Sequence, residues 1–196
     1  MNLEQINILL GKNPQLIRAH EKMFSNLDDQ IMGCLSSEHA PILKDIIDKT
    51  QSKNILEIGF NIGSSCVSWL LASSDVNVYA IDLHNPEKSI EYITKEFPGR
   101  FIFSNMNSQD ISSEEFKNQF KDKLDLIFID GDHSEEMVKL DLNNSLELNP
   151  KYIVFDDVTH WSHLYIGEII KNHPKLELIE LYEIGTGIAL TKVKYN

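Results

Sequence analysis

The sequence is short of cysteine, of basic residues and of long apolar runs, and each shortage closes off a class of protein. Only Cys34 and Cys66 occur, far apart and outside any Cys-x-x-Cys spacing. Neither a disulfide framework nor a thiolate zinc site is expected from them, and both read as small packing residues. Lysine and arginine together number 18 against 30 aspartates and glutamates, a formal net charge of −12. No basic cluster interrupts that excess, which argues against nucleic acid or an anionic membrane as partner and favours a small-molecule acceptor. No apolar run approaches the roughly 20 residues that cross a bilayer. The opening "MNLEQINILLGKNPQ" has neither the basic start nor the small-residue cleavage site of a secretory signal, so a cytoplasmic location is the expectation. Internal repeats and low-complexity segments are lacking as well.

What is there is an alternation. From about Asn54, short runs rich in Ile, Val, Leu and Phe ("NILEIG", "VNVYAID", "RFIFSN", "LDLIFID", "KYIVFDD", "ELIELYE") are separated by longer amphipathic stretches. Continuous apolar runs of this length suit strands covered on both faces. Helix starts carry their own signals: Asn85-Pro86 predicts an N-cap followed by proline at the first helical position, and Ser112 or Ser113 precedes Glu114 and Glu115. Regular strand–helix alternation builds a parallel sheet by right-handed crossovers, so the fold class is a doubly wound α/β sandwich. The close breaks the rule. After "ELIELYE", the turn in "IGTGIALTKV" leads straight into another strand, which predicts an antiparallel hairpin. The first fifty residues show helical patches and no strand.

The first strand runs into "LEIGFNIGSS" and then a helix. Gly59 and Gly63 bracket a turn where backbone can approach a ligand, at the strand end where doubly wound sheets bind one. Asp82 closes the second strand about 25 residues after Glu57, the spacing of an acid that accepts ribose hydroxyls. The turn is Gly-x-x-x-Gly, not the Gly-x-Gly-x-x-Gly of nicotinamide folds, and an acidic Glu57 suits a cationic sulfonium or ammonium better than a diphosphate.

Taken together, "ILEIGFNIGSS", "YAIDLH", "DLIFIDGDHSEE", "KYIVFDDVTH" and "GTGIALTKV" resemble a class I S-adenosylmethionine-dependent methyltransferase. The nearest likeness is to the small metal-dependent O-methyltransferases, including the macrolide-sugar and aminocoumarin-sugar enzymes and, more distantly, the catechol and caffeoyl-coenzyme A enzymes. The resemblance covers roughly residues 50–193 and implies a Rossmann-like seven-stranded mixed sheet, order 3-2-1-4-5-7-6. Residues 1–50 would be a helical extension, packed at one edge of the sheet or serving as a lid or dimer contact, and 51–196 the methyltransferase domain. Where the family turn usually has a middle glycine this chain has Asn61, a residue that tolerates positive φ. The resemblance further implies that Ser64 or Ser65 touches the methionine portion of the cofactor. It also sets "NMNSQD", with Asn107 and Ser108, beside the adenine, and Asp130 on the cofactor's border.

In such a sheet strands four and five are neighbours, so Asp130 and the pair Asp156-Asp157 emerge about 5 Å apart. Three converging carboxylates call for protons or a cation. Oxygen-only ligation points to Mg2+, with Mn2+ or Ca2+ as alternatives, and the resemblance sets the metal on these same three residues. Asp132 and His133 are the candidate bases. An unperturbed pKa near 6.5 favours His133, while Asp132 could instead share the capping of the helix "SEEMVKLDL" with Ser134. His160, Trp161 and His163 could face the substrate; His20, His39, His84 and His173 show no grouping.

The leading expectation is therefore a metal-dependent O-methyltransferase for a small hydroxylated molecule, a sugar or a phenol, with a homodimer as a possible assembly. Behind it stand a metal-independent N- or O-methyltransferase, a non-catalytic or oligomerising relative and, last, a nicotinamide oxidoreductase. The acceptor itself has no readable code in the N-terminal helices or in residues 158–165, where this fold selects its substrate.

Overall fold

Seven strands and, among the described residues, eight α-helices make up a computed structural model that describes residues 1–27 and 36–195. Cys34 lies outside the described residues. The helices α1 (Leu3–Lys12), α2 (Pro14–Phe24) and α3 (His39–Thr50) precede β1 (Asn54–Ile58), α4 (Ser64–Ala72), β2 (Asn77–Asp82), α5 (Glu87–Glu96) and β3 (Phe101–Asn105). A 3-10 turn (Ser108–Ser112) and α6 (Glu114–Phe120) lead to β4 (Leu126–Ile129), α7 (Glu135–Glu147), β5 (Tyr152–Phe155), α8 (Tyr165–Asn172), β6 (Leu176–Tyr182) and β7 (Ile188–Val193). The sheet order is β3-β2-β1-β4-β5-β7-β6, with β7 antiparallel to both its neighbours.

The central strands read as unbroken apolar runs because they supply two cores by alternate residues, whereas the edge strands β3 and β6 expose Ile102, Leu178 and Ile179. In β4, Leu126 and Phe128 join Ile55, Val78, Val154 and Leu190 on one face. Ile127 and Ile129 join Leu56, Ile58, Ile153 and Phe155 on the other. Trp69 of α4 meets Phe128 edge-on, centroids 5.6 Å apart, and both are fully buried. The second face is closed by Val138 and Leu142 of α7 and by Ile166 and Ile170 of α8.

The N-terminal helices lie on a face of the sheet rather than at its edge. Ile42, Leu43, Ile46 and Ile47 of α3, with Ile6 of α1, are buried in the same core as the strands. Polar contacts bind this layer to β6: the Tyr182 hydroxyl donates to Asp45 Oδ2 at 2.7 Å, and Lys49 Nζ reaches Glu180 at 3.2 Å. No described helix is long and apolar enough to cross a membrane.

Helix starts follow the capping signals with one shift. Ser113 and Ser134 accept from Phe116 N and Met137 N as N-caps of α6 and α7. The expected Asn85 cap is displaced, however: Pro86, with ψ 81, is not helical and itself precedes the first residue of α5, Glu87. The loop before it is held elsewhere, by Asn105 Nδ2 donating to the carbonyls of Asp82 and Leu83.

Candidate functional site

The turn after β1 is built from three left-handed residues. Gly59 (φ 95), Asn61 (φ 51) and Gly63 (φ 88) occupy the region that asparagine and glycine enter most readily. Gly59 donates its N–H to Ile81 O at 3.0 Å, while a Cβ added to it would lie 2.0 Å from the carbonyl oxygen of Asp130. The carboxylate of Asp82 fixes the turn from the next strand. Its Oδ2 accepts from Phe60 N at 2.8 Å and Asn61 N at 2.7 Å, and its Oδ1 from His84 N at 2.7 Å.

Beyond this turn opens a cavity of about 750 Å³ across the carboxyl ends of the parallel strands. Of the residues singled out from sequence, Gly59, Asn61, Asp82, Asn107, Ser108, Asp130, Asp132, His133, Asp156, Asp157 and His160 line it. Gly63 and three others lie behind its wall. Glu57 has the same parity in β1 as Ile55, so it points into the α3–α4 side of the sheet and is fully buried there. It accepts a hydrogen bond from Ser65, and the thiol of Cys66, pushed up by burial, adjoins it. Burial raises the Glu57 pKa to about 8, an effect opposed by the Ser65 bond and reinforced by Asp82. Ser64 lies within 3.1 Å of His20 Nε2 by both its carbonyl and its hydroxyl oxygen. Glu57, Ser64 and Ser65 thus support the turn from beneath, outside the lining of the cavity.

The doubled strand-end acids do converge. Ile129 of β4 pairs with Phe155 of β5, so Asp130 and Asp156 leave the sheet side by side. Burial, then the neighbouring charges of Asp156, Glu57 and Asp157, pushes the Asp130 pKa well above the usual carboxylate range. Burial and then Asp157 raise Asp156 to about 7. Asp157 holds φ 59, and positive φ in a non-glycine residue is a strain that recurs at functional sites. Asp156 Oδ1 is buried and has no hydrogen-bond partner among the described residues.

His133 reaches into this group. Its Nε2 lies 3.6 Å from Asp130 Oδ1 and 3.5 Å from Asp157 Oδ2, and burial lowers its pKa. His163 Nδ1 lies 3.2 Å from the same Asp157 oxygen, and the two imidazoles stack with centroids 5.1 Å apart. Asp132 Oδ1 accepts from Ser134 N at 2.8 Å at the start of α7.

The cavity wall includes residues that sequence reasoning missed. His39, at the start of α3, comes from the N-terminal layer, whereas Met106 and Gln109 belong to the segment "NMNSQD" already set at the cofactor and flank the two polar residues picked from it. Thr186 belongs to the β6–β7 turn. That turn also supports the acidic loop: Val158 N donates to Gly187 O at 3.1 Å and Thr159 N to Thr186 O at 2.8 Å. Only the spatial fold connects His39 and Thr186 to the site; neither has a local signal.

A family model described as "Methyltransferase domain" matches residues 56–158, more than half of the chain. Among curated proteins, no sequence matches. Solved structures share the whole fold. An SAH-bound methyltransferase of Podospora anserina is 18% identical, with 100% of this chain and 97% of that one covered at a TM-score of 0.68. A methyltransferase of Geobacter sulfurreducens is 12% identical, with 91% and 89% covered and a TM-score of 0.69. An O-methyltransferase of Bacillus cereus, in complex with SAH, is 18% identical, with 92% and 90% covered and a TM-score of 0.65.

Proposed function

The chain belongs to the methyltransferase domain family, and from that membership we propose that it carries a methyl group from S-adenosylmethionine to a hydroxyl of a small sugar or phenol beside a divalent cation. The observation that carries this reading is one cavity lined at once by the glycine turn, Asp82 and the convergent acids Asp130, Asp156 and Asp157. Its volume, about 750 Å³, falls in the range of cofactor-sized ligand sites. SAH in the Podospora anserina and Bacillus cereus structures supports the cofactor. The unpartnered, buried Oδ1 of Asp156 fits a cation that would satisfy it.

When bound, S-adenosylmethionine supplies an electrophilic sulfonium methyl, and a divalent cation lowers the pKa of a ligated oxygen. The chain's own residues supply the rest. Gly59 keeps the backbone clear of side-chain atoms where the cofactor passes. Asp82 Oδ2 is committed to the turn, while Oδ1, with one N–H bond, keeps a lone pair for a ribose hydroxyl. Asn107 and Met106 line the cavity and would border the adenine. Asp130, Asp156 and Asp157 would hold the cation. Either His133 or Asp132 accepts the acceptor's proton, a step worth about 10²–10⁴-fold in rate.

The test is methyl transfer from labelled S-adenosylmethionine to a panel of hydroxylated sugars and phenols, with and without chelator. Turnover is expected to vanish in chelator, to return with added divalent cation, and to lose that response in Asp156→Asn. Turnover indifferent to chelator overturns the metal part of the reading; failure to bind S-adenosylmethionine overturns all of it.

A further inference from the structure

We propose that the cation site of this chain is a mixed nitrogen–oxygen site, in which His133 Nε2 and His163 Nδ1 join Asp157 Oδ2 as ligands, and that it selects a transition ion such as Zn2+ or Co2+ over Mg2+. The inference rests on the metal-dependent reading above and changes the identity of the cation and of the base.

The donor geometry carries it. Asp157 Oδ2 lies 3.5 Å from His133 Nε2 and 3.2 Å from His163 Nδ1, and the three donors lie within 4.8 Å of one another. An ion bound at about 2.0–2.2 Å to nitrogen and oxygen in a tetrahedral shell separates its ligand atoms by about 3.3–3.6 Å. Asp130 Oδ1, 3.6 Å from His133 Nε2, stands where a fourth ligand would. Two further atoms lack a partner among the described residues. His163 Nδ1 is buried and, although near Asp157, makes no hydrogen bond; Asp156 Oδ1 is buried on the cavity wall without one either. Asp156 as a whole is only 6% exposed, and its unpartnered oxygen is the kind of buried acceptor a cation satisfies.

The chemistry of the donors sets the selectivity. Mg2+ demands octahedral oxygen and keeps several waters, whereas imidazole suits zinc, cobalt, nickel and iron. Ligation also removes the His133 lone pair from proton transfer. The role of base then falls to Asp132, which lines the same cavity.

The experiment titrates the metal-stripped full chain with Co2+, followed by visible absorption, with Mg2+ as competitor and SAH calorimetry as the check on folding. Stoichiometric ligand-field bands are expected, undisplaced by a large excess of Mg2+. In His163→Ala the Co2+ affinity falls about tenfold or more, the usual range for a disturbed ligand set, with SAH binding retained. His163→Gln serves as a second variant should the alanine form fail to fold. If both folded variants keep the wild-type Co2+ affinity and spectrum, or if equimolar Mg2+ displaces Co2+, the nitrogen–oxygen site is wrong while the carboxylate site stands. If neither ion binds the wild-type chain, both readings fall.

Discussion

Gly59 and Asp130 pass so closely that a single methyl carbon on Gly59 would lie 2.0 Å from the Asp130 carbonyl oxygen. The first and fourth strands therefore exit the sheet in backbone contact, and the cofactor turn and the acidic cluster share one frame. Gly59→Ala should strain both at once. With φ at 95 and no flexible atom to yield, the expected loss is about 2–4 kcal/mol of stability, accompanied by weaker SAH binding. Urea denaturation and calorimetry measure the two; unchanged stability would mean that the strands can part.

Asp82 offers a sharper distinction. A mere ribose contact could be removed without harm to the free protein, but this carboxylate also accepts three backbone N–H groups. Asp82→Asn replaces one acceptor oxygen by a donor, so at least one N–H loses its partner. We expect about 1–3 kcal/mol less stability in the absence of any ligand. Equal ligand-free stabilities would leave the ribose as its only partner.

The pH dependence follows from Glu57. Folding lifts its pKa to about 8, so above its ordinary value the folded form retains a proton that the unfolded chain releases. Stability therefore falls as pH rises from about 4.5 to 8 and stays reduced above that, by on the order of a few kcal/mol. Glu57→Gln should make this decline shallower by the share of Glu57, while the raised Asp130 and Asp156 keep the remainder, read from urea midpoints across pH.

Asp132 and Ser134 separate chemistry from capping. Ser134→Ala should cost about 1 kcal/mol through loss of the N-cap and leave the turnover number near wild type. Asp132→Ala should cost no more stability than that, but if Asp132 takes the proton its turnover number drops about 10²–10⁴-fold. Matching turnover in the two variants would remove Asp132 from the reaction.

The architecture was readable because the central strands are apolar on both faces. "LIFI" of β4 fills two cores, and that pattern distinguishes a covered parallel strand from an alternating one. The meeting of Asp130 with Asp156 was readable for the same reason, since adjacent strands deliver their last residues together. The parity of Glu57 was not: one residue along β1 decides between the cavity and the layer beneath it, and its acidity suggested the wrong side. His39 stayed hidden because it enters from α3, whose position depends on packing rather than on any neighbouring residue. At Asn85-Pro86 a valid cap signal shifted by one residue because side-chain bonds from Asn105 hold the preceding loop.

The β6–β7 hairpin gives the site a history. β7 is threaded between β5 and β6, and its turn supplies the carbonyls that hold Val158 and Thr159 just after the paired acids. As a ribosome makes the chain, at about 5–20 residues per second, the glycine turn and all the acids emerge before the strand that braces them. Catalytic competence would thus be switched on late, by insertion of the hairpin into a nearly finished sheet, and a nascent chain stopped before Gly185 would display its acids on an unbraced loop.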